Sequence, residues 1–392
     1  MRRTHRYNTK YRTKNPPLSK TTSTILTIIR VIFGAVFTFS GFVKVIDPLG
    51  SAYKIQDYLI AFGESFGTTL FDAFIPLALV LGIIQSVLEL IIGLNLIFKI
   101  RFRLTVVLAL LFMLVMTPLT LYIAIANPVS DCGCFGDALV ISNTATFIKN
   151  VFLLAIIITL FIYRKKIHPV FTPATEWLVL LLFVVAGTWL SVHSYRHLPM
   201  FDFRSYKVGV NIPEAMEIPD GYPQDVYETT FVYEKDGVKK DFTHNDYPKN
   251  DSTWVFVEQK TTLVSKGYEP PIHDFTIEDE YFEDITEDVL SYEGYTYLVI
   301  AYDINSAPQK ELIKVQRLYN KAVLSADTKV YVLTASSDDD IEVLRGNTGI
   351  TYPFYKTDPI TLKTIVRANP GIVLLENGTI KGKWHWRDFE WE

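Results

Sequence analysis

Long apolar runs fill the first half of the chain, and short polar breaks separate them. The runs fall at about 25–46, 70–98, 104–126, 147–163 and 177–192. A helix needs roughly 17–25 apolar residues to cross about 30 Å of hydrocarbon, so the pattern predicts five membrane spans. The first run is too long for a signal-peptide core and no small-residue cleavage site stands out. It is expected to remain as an uncleaved span.

Past residue 193 the pattern changes. Positions 228–238 alternate and then enter Asp236-Gly237, which predicts a β-hairpin inside a small β-rich extension reaching about residue 266. From about residue 272 strand-like and helix-like segments alternate. Strands are predicted over 295–304, 329–333, 352–355 and 371–375, with helices over 308–324, 338–344 and 359–367. An Asn377-Gly378 turn leads to a closing strand ending in Trp384-His385-Trp386. Strands joined through helices pair in parallel, and the last hairpin adds an antiparallel edge.

On the 308–324 helix, Leu312, Val315, Leu318 and Val323 are expected in the core. The closing aromatics Trp384, Trp386, Phe389 and Trp391 are expected to pack beneath the last strand rather than form a client-binding patch. His385 reads as a surface or capping residue. The segments that follow are a basic tail (1–21), a four-helix bundle (22–166), a fifth span (172–193), a connector with the β-rich extension (194–270) and an α/β domain (271–392).

Charge sharpens this picture. Up to residue 193 there are 17 Lys and Arg against 8 Asp and Glu, leaving 21 and 34 for the remainder. Mean hydropathy is +0.20, too apolar for an ordinary soluble protein. A basic, apolar front half joined to an acidic back half argues for a lipid-embedded part and a water-facing part, and against nucleic acid. The segment 1–20 carries seven basic residues and no acid, and Lys99, Arg101, Arg103 and Arg164, Lys165, Lys166 lie in alternate loops. By the positive-inside rule these face the cytoplasm. The expected location is a bacterial inner membrane, with the acidic domain in the periplasm.

Spans one and two carry charges that an inert anchor would lack. Arg30, Gly34, Phe37, Gly41 and Lys44 share one helical stripe, and Gln85, Glu89 and Gly93 another. Charges in lipid cost several kcal/mol unless paired, so an Arg30–Glu89 ion pair is compatible with their depths, as a structural clamp or a functional site. The glycines read as close helix contacts. A small-molecule or quinone site around Arg30 and Glu89 is a weaker option.

The chain has only two cysteines, Cys132 and Cys134, in Asp131-Cys132-Gly133-Cys134-Phe135-Gly136-Asp137, between spans three and four. A thiolate is the reactive form and nearby cations lower its pKa; Lys44 is the nearest candidate. Gly133 supplies backbone freedom for a tight loop. Asp131 and Asp137 read as proton carriers or loop-ending residues, the latter favoured for Asp137. Three readings compete. The leading one is a thiol–disulfide exchange centre on the exported face. A metal site lacks the three or four ligands that zinc or copper needs nearby in sequence. A purely structural loop is the third.

The spacing Cys132-Gly133-Cys134-Phe135-Gly136 after a third span resembles the MauE family of methylamine utilisation, within the broader DoxX-like group. Arg30, Ser40-Gly41-Phe42-Val43-Lys44, Asp47-Pro48 and Glu89 are similar to that group's pattern. The resemblance covers about residues 22–165. It implies a four-helix membrane bundle, similar in plan to quinone-linked disulfide-forming proteins, with Cys132 and Cys134 as the redox pair. Its task would be oxidation or maturation of an exported client, with a partner oxidoreductase or a quinone as electron acceptor; no cofactor motif is evident.

The tail resembles a thioredoxin-like domain, with Asn369-Pro370 where that fold places its cis-proline. The slot for active-site cysteines reads Ser306-Ala307-Pro308-Gln309, so both thiols are missing. The whole looks like DoxX-family proteins of Bacteroidota with appended thioredoxin-like tails. The alternative function is a non-enzymatic membrane scaffold that presents this degenerate domain to partners.

Overall fold

In the computed structural model, residues 18–391 are described, except 130, 245 and 250. Most of the predicted basic tail, 1–17, therefore lies outside the described residues. Five helices are long and apolar enough to cross a bilayer, with α2 between the first two: α1 (Lys20–Ile46), α2 (Pro48–Phe66), α3 (Ala78–Phe98), α4 (Phe102–Ala126), α5 (Asn143–Tyr163) and α6 (Pro173–Arg196). A 3-10 turn, Asp72–Leu77, extends the second span at its start. The protein is a membrane protein with a helical bundle.

The α1–α3 seam holds the bundle together. The two helices run antiparallel, with Gly34 against Gly93, Gly41 against Leu90 and Lys44 against Glu89. A Cβ on Gly41 would overlap the Leu90 backbone, and one on Gly93 the Thr38 backbone. Small residues let membrane helices approach until dispersion and polar contacts hold them. The expected Arg30–Glu89 pair is absent. Arg30 donates to the carbonyls of Leu96 and Ile97, the latter at 2.7 Å. Ile97 lies eight positions beyond Glu89, about 12 Å along the helix, which is too far for a contact. Glu89 instead meets Lys44.

The sequence reading missed α2. Its limits are nonetheless encoded: the Asp47 carboxylate accepts from the Gly50 N–H at 2.9 Å, Pro48 opens the first turn, and Gly67 closes it at φ 59°. Its mixed polar and apolar composition hid it between two stronger apolar runs.

After α6, a short helix α7 (Ile212–Met216) leads to a three-stranded antiparallel sheet of β1 (Val226–Lys235), β2 (Val238–Thr243) and β3 (Val255–Ser265), in the order β2-β1-β3. The Asp236-Gly237 turn sits where predicted, both residues at positive φ. The last unit comprises α8 (Thr286–Leu290), β4 (Tyr295–Ile300), α9 (Gln309–Val323), β5 (Thr328–Thr334), α10 (Asp338–Thr348), β6 (Phe354–Lys356), α11 (Pro359–Ile365), β7 (Gly371–Glu376) and β8 (Thr379–His385). Its sheet order is β6-β5-β4-β7-β8, with β4, β5 and β6 parallel and β7 antiparallel to both neighbours. The Asn369–Pro370 bond before β7 is cis. This is the thioredoxin-like plan that the resemblance implied.

Strand alternation divides the core between the two sheet faces. Leu298, Ile300, Leu333 and Val373 pack with α11 on one side; Val299 and Val332 pack with α9 and α10 on the other. Leu312, Val315 and Leu318 join that core, but Val323, at the frayed end of α9, is 65% exposed. Trp391 packs against the α9 side as expected, with Phe389 between it and Trp384. Of the two expectations for His385, capping holds and surface exposure does not: it is buried, with its Nδ1 accepting the Arg387 N–H at 3.1 Å. Burial pushes its pKa down to about 4.

The seam generates one expectation. Gly93→Ala forces α1 and α3 apart, an overpacking cost of about 1–3 kcal/mol. It should lower the unfolding midpoint in detergent, whereas Gly136→Ala, with nothing near its Cβ position, should cost only the strain of a left-handed residue.

Candidate functional site

Asn143 anchors the cysteine loop at both ends. Its Nδ2 donates to Asn127 Oδ1 at 2.8 Å and to the Val129 carbonyl at 2.9 Å, tying the end of α4 to the start of α5. Between these ends the loop descends onto the bundle. The Tyr58 hydroxyl donates to the Cys132 carbonyl at 2.6 Å, and Ser40 Oγ lies 2.5 Å from the Cys134 carbonyl. Gly133, at φ 63°, turns the chain so that both cysteines point inward, and the Lys54 stem lies over it at 3.0 Å from its Cβ position. Asp131 accepts from the Gly133 N–H at 2.7 Å and meets Lys54 Nζ at 2.8 Å.

The two sulfurs are free thiols 2.7 Å apart, and both residues are buried. The hydrogen bond from Cys132 and the charges of Lys149 and Lys44 outweigh burial and hold Cys134 below the usual thiol range. The same hydrogen bond, together with burial, pushes Cys132 up. Cys134 is therefore the thiolate side of the pair.

Lys44 reaches the site as expected, but through intermediaries. Its Nζ lies 2.7 Å from Glu89 Oε2 and donates to Ser40 Oγ at 3.2 Å; Ser40 in turn lies 2.7 Å from Glu89 Oε1. Among the expected residues, Lys44, Glu89, Asp131 and Gly133 thus gather around Cys132 and Cys134, while Arg30 sits elsewhere in the bundle. Sequence reading missed Ser40 as a loop contact, and also Lys54, Tyr58 and Lys149. The last three lie on helices whose facing only the folded bundle fixes.

The tail closes over this loop. Arg367, three residues before the cis-proline, places Nε at 2.9 Å from Asp47 Oδ2 and Nη2 at 2.8 Å from Asp137 Oδ2. Tyr302, just past β4, receives the Tyr53 hydroxyl at 3.1 Å. Asp137 does not end the loop by capping α5; Ser142 does that, accepting from Ala145 N. Burial opposes the Asp47 charge, but Arg367 and Arg204 hold it below the usual carboxylate range. Burial raises Asp137, against the pull of Arg367. In the degenerate slot Ser306 and Gln309 are exposed, Pro370 is buried, and Asn369 Nδ2 donates to Ser306 Oγ at 2.9 Å.

A cavity of about 390 Å³ lies between bundle and tail, with both cysteines on its wall. A second, of about 20 Å³, lies beneath Cys134 between Glu89, Met113 and Asn150. That is space for about one water. Around Arg30, the Leu96 and Ile97 carbonyls take up the guanidinium and glycines close the α1–α3 seam. Among the described residues no three His, Cys, Asp or Glu side chains group as metal ligands.

Residues 22–163, the first four spanning helices with α2 and the cysteine loop, match the family described as methylamine utilisation protein MauE. Residues 227–266, the three-stranded sheet, match a domain of unknown function, DUF8463. No curated protein matches the chain. Among solved structures, the chain is similar to a "putative protein disulfide isomerase" from Bacteroides thetaiotaomicron. That match has 18% identity over 30% of this chain and 78% of that one, with a TM-score of 0.26. The tail's own strand order, not this likeness, defines its plan.

Two outcomes follow from the site. Removing one partner of a buried ion pair costs about 3–5 kcal/mol, so Arg367→Ala should free the tail. Limited proteolysis of the tail and hydrogen exchange in α2 and α11 should then rise together. Since a lowered thiol pKa keeps the thiolate present at lower pH, alkylation of Cys134 by a small haloacetamide in Cys132→Ala should separate two causes. Loss of the Cys132 hydrogen bond raises its midpoint, while Lys149→Gln raises it further.

Proposed function

We propose that this membrane protein exchanges thiols and disulfides through Cys132 and Cys134. The observation that carries the reading is the contact of the chain's only two cysteines on the wall of a cavity beneath a docked domain, with Lys44 acting on both thiols and Lys149 on Cys134. A purely structural pair has no need of a cavity or of those cations. In the exchange, a client thiolate attacks Cys132 Sγ of the Cys132–Cys134 disulfide. The S–S bond breaks and Cys134 leaves as thiolate, stabilised by Lys44 and Lys149; lower-pKa thiols leave faster. A second client thiol attacks the client sulfur of the mixed disulfide and releases Cys132. Two electrons pass from client to protein, and the client gains a disulfide.

The reading places the cysteine end of the bundle in the periplasm of a bacterial inner membrane, and the basic loops at the other end support that orientation. Exported thiol-containing molecules or a partner oxidoreductase are then the exchange partners. The rival scaffold reading would use the tail's sheet edge or its groove, and only the groove is tested by the contacts here. Tyr302 and Arg367 beside that groove are engaged by the bundle, which disfavours it.

Under oxidising conditions Cys134→Ser should accumulate a mixed disulfide on Cys132, visible as a reducible adduct by intact-protein mass spectrometry. Cys132→Ser/Cys134→Ser should show none. If the double variant leaves every exported thiol state unchanged in cells, the exchange reading is wrong.

A further inference from the structure

The chamber beside the cysteines restricts what can reach them. Cys132 is 7% and Cys134 8% exposed. The tail forms the roof through Lys363 and Thr364 of α11 and Arg367 just beyond it, while Tyr53 and Lys54 of α2 line the other side. Arg367 fixes the roof to both Asp47 and Asp137, so the cysteine loop itself is one of the latch points. A volume of about 390 Å³ accommodates a small molecule, within the common range for ligand sites. An extended polypeptide bringing a thiol to Cys132 would have to displace α11.

The lining charges narrow the chemistry. Lys44, Lys54, Arg204 and Arg367 each have a carboxylate within 4 Å. Lys363 is the lining cation that, among the described residues, has none. Its ammonium instead lies 5.0 Å from the Tyr53 ring and 5.8 Å from the Tyr302 ring, half-buried at the roof. Asp57, on the same wall, acts on it only from beyond ion-pair distance, and burial disfavours that carboxylate's own charge. A cation set against two aromatic faces and held in no ion pair can receive an anionic group.

We infer that the chamber binds a small thiol carrying a carboxylate, held by Lys363 above the cysteine pair, and that the latched tail excludes protein thiols. This rests on the exchange reading and names its substrate class. One thiolate attacks Cys132 Sγ of the disulfide, Cys134 departs, and a mixed disulfide forms. A second thiolate attacks the small-molecule sulfur of that adduct, and Cys132 leaves and takes up a proton. Two thiols become one low-molecular-weight disulfide, and the protein disulfide becomes a dithiol.

The test uses full-length oxidised protein in nanodiscs, quenched with acid and read by thiol mass-tagging. The probes are 3-mercaptopropionate, cysteamine and a reduced, unfolded polypeptide, compared at equal thiolate concentration. The carboxylate thiol should reduce the pair about tenfold faster than cysteamine, the scale of one charged hydrogen bond. Lys363→Gln should bring that ratio near one. The polypeptide should react slowly with the native chain and faster with Arg367→Ala, or with the milder Asp137→Asn if the first variant is poorly folded. Equal rates for all three probes, unchanged by Lys363→Gln and by either latch variant, would overturn the inference and leave the exchange reading standing. A disulfide that no thiol reduces in the native chain or the latch variants would remove both.

Discussion

A single buried guanidinium decides how the two halves of this protein meet. Arg367 carries its charge from the thioredoxin-like unit into the mouth of the bundle, where Asp47 and Asp137 receive it. A charge in so dry a place is tolerable only when its partners stay, because a lone buried ion costs far more than the pair contributes. Both acids are therefore committed. Asp47 also caps α2, and Asp137 belongs to the cysteine loop, so one residue of the tail fixes a helix and that loop together.

Beneath that contact the bundle holds the cysteine loop. Glycines bring α1 and α3 close enough for Lys44 to reach Glu89, and Ser40 links that pair to the backbone of Cys134. Tyr58 and Lys54 of α2 hold the other half of the loop. The two sulfurs thus stand in unequal fields although a single glycine separates them. That inequality is what an exchange couple requires, since one sulfur must leave more readily than the other.

Much of this architecture was legible in the sequence. Apolar run length gave the five spans, and period-two strands with Asn-Gly and Asp-Gly turns gave the tail, down to the cis-proline before β7. What the sequence could not carry was facing. Arg30 and Glu89 share helical stripes with the right glycines, yet the antiparallel offset of α1 and α3 pairs Glu89 with Lys44 instead. Lys54, Tyr58 and Lys149 look like ordinary helix residues until the bundle turns them to the loop. Arg367 gives no local signal at all, because its partners lie 320 and 230 positions away. The Asp47-Pro48 start of α2 was readable and was passed over, since a stronger apolar run followed.

The central claim is that Cys132 and Cys134 form one two-electron couple. Equilibrating the full-length protein across a series of reduced-to-oxidised dithiothreitol ratios, then acid-quenching and mass-tagging, measures this most directly. The account predicts that both thiols disappear together in a single transition with the slope of a two-electron exchange. Thiols that persist across the whole series, or that titrate one at a time as separate adducts, would contradict it.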